Sequence, residues 1–209
     1  MIILIILKPK LPVVLDNFKL YLSEKSDLTE AVIDKILKEV RVESIQKGEF
    51  LLSAGDVCKH AFFTEKGLLR AFTVDESGKE HIIQFAPENW LISDRSSIYF
   101  NAPSDLFIEA IENSRVIFIS TEFMGMVSEM SSKFRKANDR ALQSHIHQLQ
   151  QRINQLLGAT AEERYLTFIQ KYPDLLLRVP LWMIASYLGI TPESLSRVRK
   201  DLAKKNFKS

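Results

Sequence analysis

Residues 182–202 read WMIASYLGITPESLSRVRKDL. Ile184, Ala185 and Leu188 recur at helical intervals, Gly189 follows as a residue that takes positive φ at a helix C-terminus, and Ile190 can plug the turn. Thr191 suits an N-cap and Pro192 the first helical position, after which Leu195, Val198 and Leu202 make an apolar stripe for a second helix. This is a helix-turn-helix. The stripe leaves Glu193, Ser194, Ser196, Arg197, Arg199 and Lys200 outward, and with Thr191 these are the candidate DNA contacts. Arginine donates a fork of hydrogen bonds to guanine O6 and N7, glutamate accepts from cytosine N4, and serine and lysine serve phosphate oxygens or bases. The same spacing also fits a solvated face on an ordinary helical hairpin.

Charge is distributed to match the first reading. The 209 residues carry a net +2, but residues 178–209 carry +5 and the rest −3, so the basic charge sits where counterion release from DNA requires it. A hydrophobic content of 46% is ample for a core, and the length fits one larger and one smaller domain. The one cysteine, Cys58, excludes an internal disulfide and a four-cysteine iron–sulfur cluster, and reads as a structural thiol. The opening run MIILIIL, residues 1–7, is too short to span a bilayer and is interrupted by Lys8, Pro9 and Lys10. It also lacks the charged leader and longer apolar core of a signal peptide. The expectation is a cytoplasmic protein with no membrane partner, whose first residues form a strand, a packed arm or a tail.

Working back along the chain, residues 28–40 place Ala31, Val32, Ile36, Leu37 and Val40 among charges, the pattern of an amphipathic helix. Residues 41–120 change to short runs of Val, Ile, Phe and Leu punctuated by turn residues, which predicts a β-sandwich or β-roll. Residues 75–79 read as a hairpin turn between strands at 69–74 and 81–85. Residues 121–157 contain a single glycine and no proline, so one long helix is expected. Within it Leu142, Ile146, Leu149, Ile153 and Leu156 step by four and three, the seam of a two-stranded coiled coil. Packing of that stripe on the chain's own β-roll is the alternative. Residues 161–172 form a further helix ended by Pro173.

A helical cover, a small β-roll, one long helix and a C-terminal helix-turn-helix, in this order, resemble the Crp/Fnr family of bacterial transcription regulators. The match is carried by Lys47-Gly48-Glu49, Gly55-Asp56, residues 62–70 (FFTEKGLLR), the long helix, and residues 188–197 (LGITPESLSR). The resemblance implies an α+β fold: residues 1–120 as an N-terminal arm, helix and cyclic-nucleotide-binding-like β-roll (a double-stranded β-helix or jelly roll), 121–157 as a long dimerisation helix, and 158–209 as the DNA-binding domain. Implied partners are double-stranded DNA, a second copy of the chain and RNA polymerase.

By position, Pro192, Glu193 and Arg197 stand where such regulators often carry base readers, and Pro192 can donate nothing. Members that bind cyclic AMP hold its phosphate with an arginine and its ribose with a Gly-Glu pair. Here the pair corresponds to Ser93-Asp94, and the arginine position falls near Ser104. A buried phosphate without its cation is expensively desolvated, so an effector other than cyclic AMP is expected. Asp94, Arg95, Ser96, Ser97 and Ser104 are candidates for a different polar pocket. The alternative is that Asp94 and Arg95 pair with each other or with the long helix. No cofactor or metal is indicated: His145 and His147 are two apart on a helix and cannot face one site, and His60 and His81 read as structural. The chain lacks the clustered His and Glu ligands of a cupin-like enzyme and any recognisable Ser/His/Asp or Cys/His arrangement, so an enzyme is not expected.

The reading is a homodimeric, sequence-specific transcriptional regulator with a β-roll sensor for an unidentified small-molecule effector. The alternative is a ligand-binding or protein-interaction module with a degenerate helix-turn-helix. Pro192 favours it, as does the short stretch AKKNFKS, residues 203–209, where family members add a β-hairpin wing. Lys204, Lys205 and Lys208 would grip phosphates in the wing's place.

Overall fold

The adjacent apolar residues Phe62-Phe63 and Val116-Ile117 do not alternate with polar ones because both faces of each sheet are covered. The computed structural model describes residues 15–206, so the opening run 1–7 and Lys208 lie outside the described residues. Helices α1 (Asp16–Lys25) and α2 (Glu30–Leu37) lead into β1 (Arg41–Ile45), β2 (Phe50–Leu52), β3 (Ala61–Lys66), β4 (Leu69–Val74), β5 (Glu80–Ala86) and β6 (Leu91–Ile92). A short α3 (Arg95–Phe100) precedes β7 (Phe107–Ala110) and β8 (Ser114–Ile119). The remainder is helical: α4 (Thr121–Met130), α5 (Ser132–Gly158), α6 (Ala161–Lys171), α7 (Leu175–Arg178), α8 (Leu181–Leu188) and α9 (Pro192–Asn206).

The strands form two antiparallel four-stranded sheets, ordered β1-β8-β3-β6 and β2-β7-β4-β5. The hairpin turn expected at residues 75–79 joins β4 to β5, with Asp75 N–H donating to the Lys79 carbonyl at 3.0 Å. Successive side chains enter different cores. Phe62 and Val116 point between the sheets, while Phe63 and Ile117 point out to the N-terminal helices with Phe18, Leu22, Ile33 and Ile36. Leu69 and Ala71 point between the sheets as well, and Phe72 points out to the C-terminal helices.

Helix α1 has little apolar periodicity and is anchored by a buried acid. Glu65 on β3 accepts from the Asn17 and Phe18 backbone N–H groups at 3.0 and 2.9 Å, placing a carboxylate at the helix N-terminus. The helix expected across 121–157 is in fact two. Ser131 adopts an extended conformation, and its hydroxyl accepts from Phe134 N–H at 3.1 Å while donating to Asp27. A serine that offers the backbone a cap ends one helix and starts the next.

The C-terminal helices share one core with the outer face of β4 and β5: Phe72, Ile82 and Phe85 meet Tyr165, Phe168, Tyr172, Ile184, Tyr187 and Leu188. Polar contacts fix the register of this docking. Ser186 Oγ on α8 donates to the Glu80 carbonyl (2.8 Å) and accepts from Ile82 N–H (3.0 Å) on the edge strand β5. Arg152 Nη2 on α5 donates to the carbonyls of Tyr187 (2.6 Å) and Ile82 (3.3 Å). Arg178, at the end of α7, donates to Glu88 (2.9 Å), Glu112 (2.8 Å) and the Gly67 carbonyl (3.0 Å). Gly67 has φ +97°, and a Cβ there would lie 2.3 Å from Ser114 Oγ, so this acceptor turn admits only glycine.

Two outcomes follow for stability. Arg178→Ala leaves Glu88 and Glu112 without their common cation, and denaturant unfolding should show a loss of about 2 kcal/mol. Gly189 takes φ +67° at the end of α8, and Gly189→Ala should lower stability by about 1–2 kcal/mol in the same measurement, through left-handed strain.

Candidate nucleic-acid interface and sensor domain

The tight turn at Gly189 is closed by its own backbone, with Ile190 N–H donating to the Ala185 carbonyl at 3.0 Å. Thr191 Oγ1 then accepts from Ser194 N–H at 3.2 Å and the Thr191 carbonyl from Leu195 N–H at 3.0 Å, so Thr191 caps α9 and Pro192 takes its first position. Leu195 is fully buried, and Val198 and Leu202 pack beside it against the shared core. That orientation leaves Glu193, Ser196, Arg197, Arg199 and Lys200 exposed and Ser194 half-buried.

Arg197, Arg199 and Lys200 are in no ion pair with a described residue. Hydrogen bonds from its own backbone and from Thr191 hold the Glu193 carboxyl below the usual carboxylate range, so it is an acceptor at neutral pH. The face therefore offers cationic donors and one anionic acceptor side by side. Residues 203–206 continue α9 as helix, and Lys205 is drawn back to Glu162 of α6 at 2.7 Å.

In the roll, Asp94 caps α3. Its Oδ1 accepts from Ser97 N–H (3.0 Å), and its Oδ2 accepts from the Ser104 hydroxyl (2.7 Å). Ser97 Oγ donates to the Ala102 carbonyl and accepts from Cys58 N–H. Asp94, Ser97 and Ser104 thus come together, and their polar atoms are engaged with one another and with backbone. Arg95 and Ser96 are exposed outside this cluster, and Asp94 makes no ion pair with Arg95. Arg95 instead faces α5, where burial and then the Arg95 charge hold His145 below the ordinary histidine value.

Leu142 on α5 is half-buried, whereas Ile146, Leu149, Ile153 and Leu156 are all exposed, Ile153 at 56%. Sequence reasoning passed over Tyr99 and Phe100, exposed at the end of α3, and gave Arg178 and Arg152 no role. The two arginines carry no local signal, because their acceptors lie far away in the chain. Among the described residues no group of His, Cys, Asp and Glu could hold a metal, and no helix is long and apolar enough to cross a membrane.

Residues 42–129 match the model of the cyclic nucleotide-binding domain. The side chains between the sheets do not fit a cyclic phosphate: Leu69, Ala71, Ile92, Ile108 and Val116 are apolar, and the Ser104 hydroxyl is turned to Asp94. The chain is 28% identical over 183 residues to the anaerobic regulatory protein of Pasteurella multocida, covering 82% of this chain and 66% of that relative, so it spans about two thirds of the relative's length. It is likewise 28% identical over 183 residues to the fumarate and nitrate reduction regulatory protein of Vibrio cholerae, covering 82% of this chain and 72% of the relative. Both named relatives are regulatory proteins. The structure of FixK2 from Bradyrhizobium japonicum shares the fold at a TM-score of 0.68 with 18% identity, over 80% of this chain and 86% of that one. With its β-roll, its helical C-terminal half and these relatives, the chain is similar to the Crp/Fnr family of transcriptional regulators.

Proposed function

We propose that the chain is a homodimeric, sequence-specific DNA-binding regulator working in the cytoplasm, whose roll and long helix respond to a small molecule other than cyclic AMP. The observation that carries this reading is the outward face of α9. Arg197, Arg199 and Lys200 stand exposed and without an ion pair among the described residues, beside an ionised Glu193, on a helix whose other face is buried. Such a face presents unneutralised cations to an anion, and its mixture of donors and an acceptor suits base edges. Pro192 supplies no donor, so base reading falls to Glu193 and Arg197, with Ser196 beside them. Thr191 and Ser194 hold the cap, and Arg199 and Lys200 serve phosphates.

The α5 seam supports the dimer. Four large apolar side chains exposed along one helix are the surface a second copy would bury, and RNA polymerase is a further partner of the assembled regulator. In mechanism, an effector shifts the roll against α5, and the two α9 helices rotate into register with successive major grooves.

DNA selected from a genomic library should bind with a clear preference over random DNA, and Arg197→Ala should reduce that preference roughly tenfold or more. Equal loss on both DNAs would show that Arg197 touches only phosphate, and weak salt-sensitive binding with no preference would favour a degenerate helix-turn-helix. Ile153→Glu places two charges in the proposed seam, and sedimentation should show a monomer where the unaltered chain is a dimer.

A further inference from the structure

Helices α5, α6 and α8 meet the loop before β6 around an open cleft of about 290 Å³. Arg152, Arg164 and Lys171 line it together with Trp90, Phe168 and Tyr187. The cations are brought there by helical geometry: Arg164 and Lys171 lie two turns apart on one face of α6, which faces Arg152 on α5. None of the described lining residues is acidic, and none of the three cations is in an ion pair with a described residue.

Two of the three cations, Arg164 and Lys171, are under-served by the protein. Arg164 Nη1 donates to the Leu156 carbonyl at 3.5 Å, but its buried Nε has no hydrogen-bond partner among the described residues, a situation native structures rarely tolerate. Among the described residues Lys171 Nζ hydrogen-bonds only to the Gln148 side-chain oxygen, at 3.3 Å, and lies 5.3 and 5.6 Å from the Tyr172 and Trp90 ring centroids. Burial, and then the charge of Arg152, hold the Lys171 ammonium below its ordinary value. Arg152 lies 3.9 Å above the Tyr187 ring while donating to the Tyr187 and Ile82 carbonyls. Cations crowded against aromatic walls, without a carboxylate among them, are the chemistry that recognises an anion carrying a flat apolar body.

We propose that this cleft is the effector site, and that it takes a small aromatic anion: one ring bearing a carboxylate or a phosphate, the anion held among Arg152, Arg164 and Lys171 and the ring against Trp90. This rests on the reading of the chain as an effector-controlled regulator and supplies its ligand class and site. The volume is at the small end for ligand sites, which selects a single ring. The position also supplies the coupling. Arg152 holds the edge strand β5 and the last turn of α8 at once, so an anion that draws on Arg152 acts on the roll and on the helix-turn-helix together.

The chain has two tryptophans, and Trp182→Phe leaves Trp90 as the only tryptophan reporter, excited selectively at wavelengths beyond tyrosine absorption. The probes are benzoate, phenylacetate and phenyl phosphate, with benzamide and inorganic phosphate alongside, and calorimetry on the unaltered chain repeats each titration. At least one aromatic anion should give a saturable change at submillimolar concentration, benzamide should give none, and Lys171→Gln should weaken the binding at least tenfold. Carboxylate and phosphate arms show which anion is preferred. The proposal is overturned if no aromatic anion saturates, if Lys171→Gln leaves the affinity unchanged, or if inorganic phosphate binds as well as phenyl phosphate. Selected DNA bound by a chain that takes no aromatic anion would sink this inference and leave the regulator reading standing. Anion binding without any DNA preference would leave a binding site for an aromatic anion but sink the regulator reading, and with it the assignment of the cleft as an effector site.

Discussion

The outer face of β4 and β5 cannot stand in water. Phe72, Ile82 and Phe85 are buried there only because Tyr165, Phe168, Tyr172, Ile184, Tyr187 and Leu188 come down onto them, and those residues have no separate core to turn to. Burial of this kind is non-directional, so it gives the docking its strength without fixing its geometry. The geometry comes from polar contacts at the margin: Ser186 on the edge of β5, Arg152 across to the end of α8, and Arg178 into the turns at Gly67, Glu88 and Glu112. The helix-turn-helix is therefore aimed by the roll. Its exposed face on α9 is the side left over after the apolar stripe has been satisfied.

Helix α5 has two different jobs around its circumference. Ile146, Leu149 and Ile153 present an apolar seam, while Arg152, between two seam positions, points to the roll and to α8. A displacement of α5 relative to the roll would thus be felt at the carbonyl of Tyr187, one residue before the turn begins to form. The aromatic cluster around Tyr187, Phe168 and Phe85 is closely packed, so a shift there moves rings as a group.

Legibility in the sequence follows the range of the interactions. The helix-turn-helix could be read because Gly189, Thr191 and Pro192 do their work within a few residues of themselves. The strands could be read because turn residues separate them, although burial on both faces erased the simple alternation. Helix α1 was missed because what starts it is Glu65, nearly fifty residues away. The break at Ser131 was present as a capping residue but hidden inside a stretch without glycine or proline. At residues 94–104 the polar types were visible, yet the sequence could not show that Asp94, Ser97 and Ser104 would answer one another while Arg95 turned to α5. Arg152, Arg164 and Lys171 read as ordinary surface charges until α5 and α6 are seen to face each other.

Strand β5 is an open edge of its sheet, and unpaired edges invite another chain to add a strand. Here three groups at the start of the edge, the Glu80 carbonyl and the Ile82 N–H and carbonyl, are taken by Ser186 and Arg152. The C-terminal helical half of the molecule is therefore also the guard of that edge. Any rearrangement that lifts α8 away uncovers a template for β-aggregation, with apolar Ile82 and Phe85 beside it, so the motion in the proposed mechanism is one that keeps the edge covered.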